Sequence, residues 1–278
     1  MSLRSPAARF WLDLIMVFVV GIVFLVPFAF IVLMASKSPQ EAAQFAFTWP
    51  SEFLLFQNMW EVIQFRDYRM LLALWNSTLL TVGSVILIVL LGASLAFVLQ
   101  RRNDRVASLA NTLLLAGLIV PPAVVPTIFV LQELGIYKTL IGLIFVEVAI
   151  QLPFAVLIMR AFLATIPRQI DEAAIIDGAS PWQVFLYVIL PLLRPATISV
   201  VVVTAVVIYN DFTLPLYFLP GAENVTAQLT LFSFMSQFTA SWNLVFADVV
   251  IIAIPPLIMF MFFQRQIVAG MTAGSVKG

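Results

Sequence analysis

Five polar side chains interrupt otherwise apolar sequence. Glu147 and Gln151 stand four residues apart in one run, Asn210 and Asp211 are neighbours in a second, and Asp248 lies in a third. If the first run is helical, Glu147 and Gln151 share a face. A carboxyl group in hydrocarbon costs about 2.5–3.5 kcal/mol on insertion scales, so such groups face a bundle interior or a wet cavity. Two kinds of chemistry are then open to them. They can hydrogen-bond the hydroxyls of a polar solute along a path, or bond neighbouring helices, which is worth roughly 0.6–2 kcal/mol a pair. For Glu147 the two readings stand level; for Asn210 and Asp211 the path is preferred. Asp248 falls near the outer end of its run, where it can reach the interface. The chain has no His and no Cys. That removes disulfides, structural zinc and imidazole acid–base catalysis. No catalytic constellation and no metal-ligand cluster is visible, and no Gly-x-x-x-x-Gly-Lys-Ser/Thr phosphate loop occurs.

The elements that must position these groups follow from composition. Of 278 residues, 63% are hydrophobic and 10% charged, against about 25% charged in a soluble domain. The formal net charge is zero, which gives no electrostatic basis for nucleic acid. The pattern is that of an all-α polytopic membrane protein forming one domain over 1–278. Six spans are expected, near 14–34, 77–99, 112–131, 140–162, 196–219 and 245–263, each approaching the ~20 residues a helix needs to cross the bilayer. The first is too long for a signal-peptide core and is read as a retained span. Pro121, Pro122 and Pro126 interrupt the third span, Pro153 the fourth, and Pro255 and Pro256 the sixth; they are candidate kinks. With the N-terminus inside, ten Lys and Arg fall on the inner side and four (Lys37, Arg66, Arg69 and Lys138) on the outer, a positive-inside bias. Both termini and the 163–195 loop are then cytoplasmic. Residues 36–76 form a long outer loop whose Trp49, Trp60 and Trp75 suit interfacial anchoring.

The 163–195 loop is a polar island between spans four and five. Ile166, Ile170, Ala173 and Ala174 recur at helical spacing and make one apolar stripe, with Glu172 projecting off it. Gly178 stands where a helix ends in a left-handed residue. Ser180, Pro181 and Gln183 fit the cap, first and third positions of a second helix, with Ser180 and Gln183 as a capping box. That helix is expected to run until Pro191. A helix–turn–helix joined directly to two spans is built as a lever, although an amphipathic loop lying on the membrane would share these features.

This stretch resembles the EAA loop of permease subunits of ATP-binding-cassette importers, whose pattern is Glu-Ala-Ala, three residues, Gly, nine residues, Ile, one residue, Leu-Pro. Glu172, Ala173, Ala174, Gly178, Leu190 and Pro191 match in register, and Val188 replaces the usual Ile. The C-terminal sequence is similar to that of maltose-type sugar permeases: Gly270, Thr272, Gly274, Val276, Lys277 and Gly278 match, while Met271 and Ser275 differ. The stretch from Tyr209 to Phe212 resembles a Trp-Asn-Asp/Glu-Phe segment of the same family, with Tyr209 in the Trp place.

The resemblance implies a permease subunit of a carbohydrate importer in a bacterial inner membrane. The chain would form half of the translocation path, with Tyr209, Asn210, Asp211, Glu147 and Gln151 as candidate path residues. A second homologous permease would complete the path, and an extracytoplasmic solute-binding protein would deliver the sugar. Two cytoplasmic ATPase subunits would hold ATP and Mg, and this chain would bind no cofactor itself. The EAA residues would contact the ATPases, and Gly274, Ser275, Val276, Lys277 and Gly278 would insert between them. The alternative is an ion-coupled secondary transporter with Glu147 and Asp211 as ion sites. It is disfavoured by the small number of spans and the lack of an inverted repeat.

Overall fold

The computed structural model of the protein describes the backbone of residues 6–221, 224–235 and 241–273. The expected tail contact at Gly274, Ser275, Val276, Lys277 and Gly278 lies outside the described residues. The regular elements are helices. In chain order they begin with α1 (Pro6–Ala35), α2 (Pro39–Ala42), α3 (Leu55–Arg101), α4 (Arg105–Ile119), α5 (Val124–Glu133) and α6 (Leu140–Leu163). Next come α7 (Gln169–Ile176), α8 (Pro181–Gln183), a π segment (Val184–Ile189) and α9 (Leu190–Leu192). The chain continues through α10 (Arg194–Asn210), α11 (Thr213–Phe218), α12 (Ala227–Thr230), a 3₁₀ turn (Leu231–Phe234) and α13 (Trp242–Ala273).

Among the described residues, four helices are long and apolar enough to cross a membrane alone: Leu12–Ala35, Leu55–Arg101, Leu140–Leu163 and Trp242–Gln264. Two further apolar stretches are bent helix pairs, α4 with α5 at 118° and the 181–192 run with α10 at 71°, and the total is six if each pair counts as one span. The expected third span, 112–131, is therefore two helices meeting at an elbow. Pro121 and Pro122 account for it: neither can donate to the helical ladder, and each drives the residue before it out of helical backbone. The expected fifth span, 196–219, likewise stops at Asn210. Asp211 is extended there, and its carboxylate accepts from the Thr213 and Leu214 amides to start α11. The outer connection expected over 36–76 contains helix rather than only loop: α3 starts at Leu55 and is broken at Phe65–Tyr68, which sets 55–64 apart as a separate helical stretch. Pro153, Pro255 and Pro256, by contrast, do not interrupt their helices. A membrane helix survives a missing amide when its neighbours restrain it.

The chain packs as two compact units: Met1–Leu71 with Thr230–Ile254, and Leu72–Leu229 with Pro255–Gly278. In the first unit, buried polar groups tie down the irregular part of the outer connection. Asn58 Nδ2 donates to the carbonyls of Ala35 and Lys37 at 2.8 and 3.0 Å, and Asn243 Nδ2 donates to Asn58 Oδ1 at 3.0 Å. The buried Lys37 ammonium donates to the Ala46 carbonyl at 2.6 Å and the Thr48 hydroxyl at 3.1 Å. Asp248 does not reach an interface. It is fully buried, and the Thr230 hydroxyl lies 3.0 and 3.1 Å from its two oxygens.

The second unit holds a hydrophobic core around α6, whose Leu143, Val156, Met159 and Leu163 are buried among side chains of α3, α10 and the π segment. The start of α6 is fixed by Thr139. Its hydroxyl donates to the Ile136 carbonyl at 2.7 Å and accepts the Gly142 amide at 3.0 Å. A Cβ at Gly142 would lie 2.2 Å from that same Ile136 carbonyl oxygen. Because the obstacle is backbone, it cannot swing aside. Gly142→Ala is therefore expected to destabilise the unit by about 1–3 kcal/mol, the range for overpacking, and a lowered thermal midpoint in detergent is the measurement that checks it.

Candidate functional site

The residues between α6 and α10 form a two-helix element whose turn is fully specified locally. Helix α7 ends in a Schellman motif: the Gly178 amide donates to Ile175 at 3.0 Å and the Ala179 amide to Ala174 at 2.9 Å. The motif needs a left-handed residue, and Gly178 has φ +89°. Ser180 then caps the second helix as the spacing predicts. The Ser180 amide donates to Gln183 Oε1 at 2.7 Å, and the Gln183 amide donates to Ser180 Oγ at 3.4 Å. Ser180→Ala is expected to lose about 1 kcal/mol of helix stability, as cap removal generally does. Faster amide exchange at Gln183 would report it; unchanged exchange would count against the cap.

Pro191 does not end this helix. The run continues to Leu192 by passing through the π segment, where the Leu190 amide bonds the Phe185 carbonyl five residues back. A proline crowds the carbonyl four residues before it, here that of Tyr187, and the wider π turn gives that carbonyl room. Leu190 is half-buried against the core, and Pro191 is exposed.

The faces of the element also differ from expectation. Of the expected apolar stripe, Ile166 and Ala174 are half-buried, but Ile170 and Ala173 are exposed. The buried residue of α7 is Asp171. Its carboxylate takes a two-pronged ion pair from Arg101 at the end of α3, with Nε at 2.6 Å and Nη2 at 3.1 Å. Sequence reasoning passed over this pair, although both residues belong to the inner-side segments that charge counting groups together. Exposed on the element are Glu172, Ala173, Ile175, Ile176 (85% exposed), Trp182 (68%) and Tyr187 (75%). Apolar side chains at these exposures, clustered on two short helices that share one turn, make a surface suited to a partner.

The path candidates separate into two groups. Glu147 is 1% exposed on α6, and its side chain meets that of Asp211 from the break between α10 and α11. Tyr209 is buried as well. Gln151 lies one turn along α6 from Glu147 and lines a hollow of about 510 Å³. The elbow residues Gly117–Pro122, with Phe154 on α6 and Val207 on α10 among others, line it too. Asn210 is exposed; its Nδ2 donates to the Val206 carbonyl at 2.9 Å, and its Oδ1 accepts from Gln228 at 3.3 Å. The structure thus brings Glu147 and Asp211 together and leaves Gln151 and Asn210 accessible. Among the described residues, no group of acidic side chains converges as a metal site would require.

Known proteins resemble this arrangement over most of its length. A crystallised bacterial ABC transporter involved in import of the acidic polysaccharide alginate superposes with a TM-score of 0.81, covering 95% of this chain and 99% of that one at 18% identity. That likeness speaks to the fold. In sequence, the diacetylchitobiose uptake system permease protein NgcG of Streptomyces coelicolor is 30% identical over 92% of this chain and 85% of its own. The melibiose/raffinose/stachyose import permease protein MelC of Bacillus subtilis is 29% identical over 73% and 75%. Residues 88–273, which contain the whole two-helix element, match the family of binding-protein-dependent transport system inner membrane components. The chain belongs to that family.

Proposed function

We propose that this chain is one permease subunit of an ATP-driven importer of a carbohydrate, and that residues 169–192 are its coupling element to cytoplasmic ATPases. The observation that carries this reading is the exposed face of Glu172, Ile175, Ile176, Trp182 and Tyr187 on a turn that local hydrogen bonds already fix. A partner seated on that face would push α6 and α10 together, because the element is continuous with both. Ala173 would permit close approach, and Gly178 would set the angle between the two helices. Both termini and the element lie on the cytoplasmic side in this reading, which the ten-to-four distribution of basic residues supports. ATP and Mg would bind in the two ATPase subunits, and Gly274, Ser275, Val276, Lys277 and Gly278 would contact those subunits too. A second, homologous permease would complete the path, and a solute-binding protein would deliver the solute from outside.

The carbohydrate class is supported by relatives named for diacetylchitobiose, for melibiose, raffinose and stachyose, and for starch degradation products. On the path, Gln151 and Asn210 would offer amides to sugar hydroxyls. Glu147, Asp211 and Tyr209 would stand behind them and hold the wall. The meeting of two carboxyl side chains at Glu147 and Asp211 is the one observation that favours an ion-coupled secondary transporter instead.

One experiment separates the two readings: purification of the intact complex in mild detergent, identification of its subunits, and transport by the complex in liposomes. The importer reading expects an ATPase and a second permease to co-purify, the ATPase to be lost on Glu172→Lys, and uptake to require ATP. Uptake by this chain alone, driven by a proton or sodium gradient without ATP, would overturn it.

A further inference from the structure

The coupling element touches a third membrane helix, to which it is not joined in sequence. The end of α3 meets both halves of the element on one of its faces. Phe97 and Arg101 are four residues apart, hence stacked on the same side of the helix. Phe97 packs against Phe185 of the π segment with ring centroids 5.5 Å apart, and Phe185 in turn meets Trp182 edge-on at 5.9 Å. Arg101 holds Asp171 of α7 through the two-pronged ion pair, and both of its Nη atoms also donate to the Ile166 carbonyl at 3.4 Å. The clamp is sheltered, with side-chain exposures of 14% for Arg101 and 13% for Asp171. Two further arginines tie the same region. Arg168 donates to the Gln100 carbonyl at 3.2 Å, and Arg160 donates to the Asn111 side chain and to Gln100 Oε1.

We propose that Arg101 is a positioning residue that makes the inner end of α3 travel with the coupling element, so that an ATPase moves three membrane helices rather than two. This rests on the coupling reading given above. A planar guanidinium that hydrogen-bonds one oxygen of a carboxylate and sits in ion-pair contact with the other fixes orientation as well as distance. The aromatic contact one turn away keeps the second half of the element from pivoting about that bond. Without the clamp, α6 and α10 would still be driven through the chain, while α3 would be left to follow through aromatic packing and the hydrogen bonds at Gln100.

The test uses the complete importer in liposomes and reads solute moved per ATP hydrolysed. Arg101→Met and Asp171→Asn should each retain the ATPase subunits and go on hydrolysing ATP, while solute moved per ATP falls about tenfold, a typical coupling free energy. Arg101→Lys, which keeps the charge but not the fork, should fall between these and the wild type. Exchanging the two residues, Arg101→Asp with Asp171→Arg, should recover most of the ratio. As a second route, Arg101→Cys with Asp171→Cys places the only two thiols on a chain that has none, and a short bismaleimide bridging them should restore the lost ratio. Single variants that keep the wild-type ratio would overturn the proposal. So would a bridged pair that stays uncoupled, or an exchanged pair no better than the singles. Wild-type complex that hydrolyses ATP without moving solute, or moves solute without ATP, would instead indict the coupling reading itself.

Discussion

Gly178→Val should reduce transport by more than tenfold while leaving the amount of chain inserted in the membrane unchanged. Nothing lies within 4 Å of where a Cβ at this position would sit, so the penalty is conformational rather than steric. At φ +89° an L-residue pays roughly 1–2 kcal/mol, and a β-branched one is a true outlier. The valine chain can escape only by unwinding the Schellman turn, which frees the bonds from Gly178 to Ile175 and from Ala179 to Ala174. That rotates α7 against the 181–192 run, so that Glu172 and Trp182 no longer present one common face. The core of the second unit is untouched, so the transport defect should not follow from misfolding. Gly178→Asn is the control. Asparagine tolerates the left-handed region, and that variant should transport within a few-fold of wild type. Liposome uptake normalised to folded subunit decides the matter: a valine variant with wild-type uptake would remove the turn from the mechanism.

Trp182→Ala and Ile176→Ser should each weaken ATPase binding by about 30-fold to about 1,000-fold, corresponding to about 2–4 kcal/mol for a residue at the centre of an interface. Both side chains are more than two-thirds exposed in the subunit, so removing them takes little from the fold. Trp182 touches Phe185 only edge-on, and Phe185 keeps its contact with Phe97. Titration of the ATPase onto the permease pair in nanodiscs gives the affinity directly. If both variants bind as the wild type does, the exposed apolar face belongs to lipid.

Local signals in this chain were legible where they acted locally. Ser180 with Gln183, and Gly178 at a helix end, specify their hydrogen bonds within a few residues, and the structure has them as the spacing implies. Prolines were less legible because their effect depends on surroundings. Two in succession at 121 and 122 break the helix into an elbow. Single Pro153 is held in a buried helix, and Pro191 is absorbed by a change of helical pitch. The α7 stripe misled because apolar spacing identifies a helix face without saying what will cover it. Ile170 and Ala173 face outward, and the side turned inward is the one carrying Asp171. Its partner Arg101 lies 70 residues away, and pairing across that distance is set by tertiary packing that no local pattern encodes. Asp248 shows the same limit: only the fold places Thr230 beside it.

The π segment sets the aim of the coupling face. An α-helix turns 100° per residue, so a stretch closed by five-residue rather than four-residue bonds absorbs one extra residue without adding a turn. Val184–Ile189 is such a stretch, between the exposed Trp182 and the buried Leu193. Deleting one residue there would leave a regular helix, yet it would swing Trp182 about a quarter-turn around the axis relative to the core. Chain length in this stretch is therefore a phase setting. Side chains can be exchanged one for another while the face keeps its bearing, but a one-residue gap would point it elsewhere.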